Sequence, residues 1–483
     1  MAGVAVAAGT PTAIGVVGGG APLLPVLAWV AGAGLLLVGV SVLADLLRWR
    51  ATTYSLTADR LEITFSLLAR SKKSLARDRI RSVDLTASPV HRALGVAVLS
   101  VGTGRHESGA QGRIKLDPLA REDAERLRAE LLRHAAGEPA DTAVLAKLDW
   151  AWLRYAPVSF AAPALGLAAF GAVVQVSEWF GVQRGLFHFV FGIFRELPLV
   201  VLILVLLAAA VVIGAVGALG LFVEMWWRFR LDREPGGTLR VRRGLLTTRS
   251  ITLEQRRLRG VDVVEPLGSR LAGAARVDAV ATGVRQKQDD ERTDYHTLLP
   301  AAPLDVANRV AAAVLGEPVA PTAAARLKAH PAAARGRRLR WWLLGASVPV
   351  AVLVVLGLVL TDVLFVIGLA LAVVALPVSA ALGLDAYRSL GHALTGCYLV
   401  TRSGAVRRST VALEREGVLG WTVKQSIFQR RRGLATFTAT TAAGAGAYSI
   451  RDASADEGLD FAATATPGVL APFVSAEAEA SRA

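Results

Sequence analysis

Residues 244–273 read GLLTTRSITLEQRRLRGVDVVEPLGSRLAG, and residues 66–95 read SLLARSKKSLARDRIRSVDLTASPVHRALG. The two align without a gap. Leu67-Leu68 matches Leu245-Leu246, Leu75 matches Leu253, and Arg79-Ile80 matches Arg257-Leu258. Ser82-Val83-Asp84 matches Gly260-Val261-Asp262, and Arg92 and Gly95 match Arg270 and Gly273. A third segment keeps the register with Gly404, Leu413, Val418, Gly420-Trp421, Arg430 and Gly433, although its Asp has become Thr422. Self-similarity at this spacing is the mark of a repeated structural unit.

Each unit has one physical logic. In the first, Tyr54, Leu56, Leu61, Ile63 and Phe65 alternate with polar residues around Thr57-Ala58-Asp59-Arg60, which predicts a hairpin. A strand through Leu75 and another through Ile80 and Val83 follow. A corner at Pro89 (Pro266 in the second copy) then leads into the alternating run Val96, Val98, Leu99, Val101. The first two copies are expected to end in an amphipathic helix. One opens at Asp117-Pro118, as N-cap and first helical residue, with Leu119, Leu127, Leu131 and Leu132 on its apolar face. The other opens at Pro303 and carries Leu304, Val306, Val310 and Val314. After Tyr448-Ser449-Ile450 the third copy turns Ala-, Gly- and Asp-rich, and only a short helix over 467–474 is expected. The simplest architecture is a small antiparallel sheet or barrel closed by one helix.

Between the units the chain is membrane-like. Hydrophobic residues make up 53% and charged ones only 19%, which favours several spans over a set of soluble domains. About 20 consecutive apolar residues cross a bilayer core as a helix. Spans are expected at 26–47, 155–176 and 197–223, with a two-span hairpin over 341–384 turning near Thr361-Asp362. Arg48, Trp49 and Arg50, and again Trp226, Trp227 and Arg228, are interface anchors. Residues 1–25 are expected to be a flexible leader, and they lack the basic start of a cleavable signal. Lys and Arg number 54 against 39 acidic residues, and nearly all lie in the three inter-span segments. The positive-inside rule then puts all three units in the cytoplasm and the N-terminus outside. The Phe-rich stretch 183–196 reads either as an interfacial helix on the outer surface or as an extension of the next span. Abundant Arg, Ala and Gly resemble the usage of GC-rich bacterial genomes of actinobacterial type.

The unit Tyr54-Ser-Leu-Thr-Ala-Asp-Arg-Leu, with Leu67-Leu68, Arg79-Ile80-Arg81-Ser82-Val83 and Leu94-Gly95, resembles the bacterial PH-like domain of YdbS-like and YdbT-like membrane proteins. The larger, YdbT-like arrangement fits nearly all residues after Val26. The resemblance implies an α+β membrane protein. About five transmembrane helices alternate with three PH-like antiparallel β-barrel domains, the first two closed by a C-terminal helix. The domains are expected at 48–136, 228–316 and, in divergent form, 392–475. It further implies a role at the membrane or in assembly rather than catalysis, with no active site to transfer. Two spans usually precede the first domain of such proteins. One is apparent here, so the start is expected to lie upstream or a span to be missing.

No chemistry-bearing motif accompanies the repeat. There is no phosphate-cradling Gly-x-x-x-x-Gly-Lys, no His-Glu-x-x-His and no Gly-x-Ser-x-Gly. The seven histidines (His91, His106, His134, His188, His296, His330 and His392) are scattered, so neither a metal nor another cofactor is expected. The single cysteine, Cys397, cannot form an intramolecular disulfide and reads as a core thiol in an apolar strand. Asp45, Glu224 and Asp362 fall at span ends, which gives a proton relay little support.

The basic clusters are Arg70, Lys72 and Lys73; Arg242, Arg243 and Arg249; Arg407 and Arg408; and Arg430, Arg431 and Arg432. Positive-inside bias explains them most economically. A pocket for anionic lipid headgroups is the alternative, each charge near the leaflet adding about 1 kcal/mol. No aromatic-interleaved motif points to nucleic acid. The expected function is a non-enzymatic membrane scaffold that binds lipid, itself, or a smaller membrane protein with the same module. Envelope stress or antimicrobial tolerance is the setting the resemblance implies. A transporter or channel with regulatory domains is the competing class, and the near absence of polar residues within the spans weighs against it.

Overall fold

The computed structural model describes residues 52–57, 60–66, 70–76, 82–102, 113–133, 143–158, 161–179, 198–234, 237–282 and 296–469, with isolated positions between 32 and 50 and residue 192. The expected leader at 1–25, Asp45 and nearly all of 183–196 lie outside these residues. So does most of the expected first span, whose described stretches at 32–37 and 39–40 are helical.

In the first unit β1 (Thr52–Leu56), β2 (Arg60–Ser66) and β3 (Arg70–Ala76) form an antiparallel meander. The expected hairpin is present, with Leu56 opposite Leu61 and the Thr57 N–H donating to the Arg60 carbonyl. Alternation sorts the side chains: Leu61, Ile63 and Leu75 are buried, while Glu62 and Lys72 pair at 2.9 Å. A second meander, β4 (Ser82–Ala87), β5 (Val96–Gly102) and β6 (Arg113–Ala120), adds Val83, Leu85, Leu99 and Val101 to the same core. Helix α1 (Arg121–Arg133) lays Ala124, Leu127 and Leu131 on it, three and four residues apart and so on one face. Asp117-Pro118 does not open this helix. Both residues belong to β6, where the pairing with β5 shifts between Ala97–Leu119 and Leu99–Leu116. An edge strand at a bulge accepts a proline because no ladder hydrogen bond is lost there.

The same succession returns twice. β8 (Arg230–Glu234), β9 (Thr238–Arg243) and β10 (Thr248–Glu254) precede β11 (Leu258–Pro266), β12 (Ala274–Ala281) and β13 (Thr297–Pro303). β7 (Ala143–Lys147) adds to this set by pairing with β8. β14 (Gly391–Thr395), β15 (Tyr398–Ser403) and β16 (Arg407–Glu414) precede β17 (Val418–Lys424), β18 (Leu434–Thr441) and β19 (Ala447–Ser454). Gly95, Gly273 and Gly433 occupy one repeat position at φ of 68°, 72° and 63°. A side chain is strained there, which explains the recurrence of glycine.

Strand pairing crosses the unit boundaries. The sheet orders are β1-β2-β3, then β6-β5-β4-β10-β9-β8-β7, then β13-β12-β11-β16-β15-β14, then β17-β18-β19. The second meander of the first unit therefore shares a sheet with the first meander of the second, and the second unit shares one with the third in the same way. The two joints use one register. Thr248 faces Ala87 and Ser250 faces Leu85, as their repeat counterparts Arg408 and Thr410 face Glu265 and Val263. Among the described residues no barrel closes within a unit. Its open edge is satisfied by the neighbour instead.

The second unit ends in helix α4 (Leu304–Leu315), which follows Pro303 as expected. The third ends in helix α7 (Ala455–Ala465), where the Ala-, Gly- and Asp-rich composition had concealed a helix. Its Asp456 and Glu457 lie in the first turn, where the helix dipole favours acids. Its Ala462 is buried against Phe437 and Ile450. Cys397 is likewise not a core thiol. It is exposed in the turn between β14 and β15, beside Gly396 at φ 56°.

Helices α2 (Ala161–Trp179), α3 (Leu199–Trp226), α5 (Ala332–Val359) and α6 (Asp362–Arg388) lie between the units. Among the described residues, three segments are long and apolar enough to cross a membrane: Val205–Trp226, Ala332–Val359 and Asp362–Arg388. The apolar helix near the expected second span starts later than Tyr155. The Asp149 side chain caps a 3-10 turn over Trp150–Tyr155 that buries Trp152 and Tyr155 in the core of the second unit. The expected hairpin turns at Thr361, whose hydroxyl accepts from the Leu364 N–H. Its helices approach closely at Gly357, where a Cβ would lie 2.2 Å from the Phe365 nitrogen. Val359, Leu360 and Val373 point outward, as a lipid-facing surface requires.

Gly260 tests the joint. A Cβ there would meet the Ala412 carbonyl oxygen of the paired strand at 2.0 Å. Gly260→Val is expected to destabilise the protein by about 1–3 kcal/mol, the usual range for overpacking. Thermal unfolding in detergent measures this, and an unchanged midpoint would show that β11 and β16 are not paired.

Candidate functional site

The sequence-predicted basic residues do not form one pocket. Arg70, Lys72 and Lys73 lie on β3, with Lys72 exposed and held by Glu62. Arg242 pairs with Asp232 at 3.3 Å. Arg243 is buried with its guanidinium 4.3 Å from the Trp226 ring, where it fastens the end of α3 to the second unit. Arg249 sits on β10 opposite Thr86. Arg408 lies 3.7 Å from Glu265 and 3.5 Å from Asp385, and Arg407 lies 3.9 Å from Asp278. Arg430, Arg431 and Arg432 are exposed at the corner between β17 and β18. A Cβ on Gly336 would lie 3.7 Å from the Arg432 guanidinium, so this triplet sits beside the first turns of α5. Arg335 and Arg340 are exposed on those turns. They were missed in the sequence because they adjoin the triplet only through the fold.

Several other charged residues pair across the joints. Between the first and second units, buried Arg128 on α1 donates to Glu234 at 2.6 Å and to the Thr252 hydroxyl at 3.2 Å. Arg240 donates to Glu234 at 3.1 Å, to Glu125 at 3.0 Å and to the Ser250 hydroxyl at 2.7 Å. Between the second and third units, Arg259 donates to Glu414 at 2.9 Å and the Ser409 hydroxyl to Asp262 at 2.6 Å. Burial, with neighbouring Asp278, pushes the Asp262 carboxyl up to about 6. Asp385, near the end of α6, accepts from Arg270 at 2.7 Å and lies close to Arg408, so one carboxylate on a membrane helix touches both units.

A second cluster fixes the start of α5 to the third unit. Asp452, fully buried at φ 58°, accepts from Arg337 at 2.5 Å and from Gln429 at 2.8 Å, and Arg338 lies at 2.6 Å. The Asp452 carbonyl lies 3.2 Å from His330 Nδ1, and His330 Nε2 lies 3.0 Å from His392 Nδ1. The Tyr387 hydroxyl donates to the His330 carbonyl at 3.0 Å. Sixty-odd residues of intervening hairpin separate the two histidines in sequence, so scanning for local motifs could not find them. Burial holds the His330 imidazole below its usual value. Burial, then the charge of His330 and Lys328, lowers His392 to about 4. Among the described residues no group of three or more His, Cys, Asp or Glu is placed to hold a metal.

Residues 13–135 and 350–466 match the family model described as Bacterial PH domain. The two matches take in the first and third units. The second unit, between them, repeats their strand order and closing helix. No curated protein and no solved structure gives a significant match.

The two buried groups tilt stability in opposite directions with pH. His392 stays neutral in the fold below the pH at which a free imidazole gains its proton. Its contribution is present above about pH 6.5 and is lost as pH falls toward 4. Asp262 holds its proton more tightly folded than unfolded, so its contribution is lost as pH rises from about 4 through 6. His392→Gln is expected to flatten the acid side of the unfolding profile, and Asp262→Asn to raise the midpoint at pH 7. Melting curves of each variant in detergent between pH 4.5 and 7.5 check both. Curves parallel to that of the unchanged protein would contradict them.

Proposed function

We propose that this chain is a multi-pass membrane protein. It holds three PH-like modules in one rigid row against the cytoplasmic face and acts there as a non-enzymatic scaffold. The observation that carries the reading is the sharing of strands across both unit boundaries, which makes a row of fixed geometry rather than modules on flexible tethers. Three apolar helices of spanning length and two matches to the bacterial PH domain support it. The exposed Arg430, Arg431 and Arg432, beside the first turns of α5, support contact with anionic headgroups at the membrane surface. The triplet lies outside both joints, on the exposed corner between β17 and β18. A smaller membrane protein carrying the same module, or a second copy, is the protein partner such a row suits. Envelope-stress tolerance is the physiological setting proposed for it.

Two experiments test this. The exposed Cys397 reports orientation without mutation. A membrane-impermeant maleimide is expected to label it only after the cell membrane is permeabilised, and labelling in intact cells would refute a cytoplasmic row. Purified protein is expected to bind a fluorescent phosphatidylglycerol more tightly than phosphatidylcholine at low salt. Replacing Arg430, Arg431 and Arg432 by Ala is expected to cost roughly 3 kcal/mol at low ionic strength, about 1 per charge. Equal binding of both lipids, or an unaffected triple variant, would remove the headgroup role.

A further inference from the structure

Two sheet edges break the pattern of the fold. β10 covers β4 and β16 covers β11, in one register. By the gapless repeat, β3 is the counterpart of β10 and β16, and β17 is the counterpart of β4 and β11. Yet among the described residues β3 and β17 each end a three-stranded sheet with no strand beyond. β6, β13 and β19, by contrast, are outer strands in all three units.

Both edges look like covered strands that lack their cover. Gly420 is the counterpart of Gly260. The neighbour's carbonyl lies 2.0 Å from a Cβ on Gly260, whereas a Cβ on Gly420 meets nothing within 4 Å. Val423 is 49% exposed where its counterpart Val263 is 2% exposed. On the other edge Ser74 is exposed, while its counterparts Thr252 and Ala412 are 2% and 0% exposed beneath a neighbouring unit. An uncovered edge with open backbone donors and acceptors is a template for strand addition. Neither strand carries a proline, and β17 carries one charge, Lys424 at its end, while β3 carries Arg70, Lys72 and Lys73.

We propose that β17 of one copy pairs antiparallel with β3 of a second copy, making between molecules the joint that the chain already makes twice within itself. This rests on the scaffold reading above and names its partner. The occupant is a second copy because the chain carries both halves of the joint, and because both internal joints fix the register for the third. Gly420 then faces Leu75, Trp421 faces Ser74, Thr422 faces Lys73 and Val423 faces Lys72. Such a contact is head-to-tail, so the copies close into a ring or extend as a row.

The test uses full-length protein in its membrane, with Cys397→Ser and two differently tagged copies expressed together. One copy carries Lys72→Cys and the other Val423→Cys. A second set carries Lys73→Cys and Thr422→Cys, so that both hydrogen-bonding classes of strand pair are sampled. Mild oxidation is expected to link the two tags through a disulfide in at least one set. Thr53→Cys on the far edge, paired with Val423→Cys, is expected to give none. Gly420→Val is expected to abolish the link while leaving the thermal midpoint unchanged, because its side chain has room until a second copy arrives. The proposal is overturned if no link joins the tags, or if a link forms only within one chain carrying both cysteines. It is also overturned if the Thr53 control links equally or Gly420→Val has no effect. Equal binding of both lipids, or an unaffected arginine-triplet variant, with the link intact would remove the headgroup role alone. Intact lipid binding without the link would remove self-association alone.

Discussion

The exposed edge of a short sheet carries a row of backbone N–H and C=O groups, and each such group buried without a partner costs free energy comparable to a lost hydrogen bond. Three-stranded meanders cannot satisfy both of their edges alone. In this chain the inner edges of neighbouring units satisfy each other, β4 with β10 and β11 with β16. The constraint explains why Gly260 sits where a carbonyl approaches and why Ser250, Thr252 and Asp262 are buried polar residues. It also explains the ion pairs that cross the joints. Once a strand from the next unit is laid down, Arg128, Arg240 and Arg259 find acidic partners on the neighbour.

The long apolar helices are tied into the same framework at their ends. Glu224, in the last turn of α3, accepts from the Leu246 and Thr247 N–H groups of the loop before β10. Asp385 near the end of α6 meets Arg270 from the second unit and Arg408 from the third. Arg337 and Arg338 at the start of α5 meet Asp452. Partly buried ion pairs such as these fix geometry more than they add stability.

Much of the local structure was legible in the sequence. Alternation around Thr57-Ala58-Asp59-Arg60 identified the first hairpin, and the long apolar runs identified the 341–384 pair. Local signals failed where context decides. Asp117-Pro118 has helix-opening chemistry but lies at a bulge of an edge strand. Residues 455–465 have the composition of a loop but become helical against Phe437 and Ile450. Cys397, in an apolar run, falls on a hairpin turn. The candidate site was the least legible part. A string of arginines reads alike whether it faces solvent or an aspartate more than a hundred residues away. Which unit lends a strand to which is a tertiary choice that the repeat itself leaves open. The same is true of the His330–His392 contact, made across a folded-back hairpin.

The central claim is that the units form one body through shared strands. Native-state hydrogen exchange on the full-length protein tests it most directly, because amides in a continuous sheet open only with the cooperative unit that contains them. The account predicts that the amides of β4, β10, β11 and β16 exchange as slowly as those of β5 and β12 at the unit centres. Exchange of β10 and β16 at loop-like rates, with β5 and β12 still protected, would contradict it.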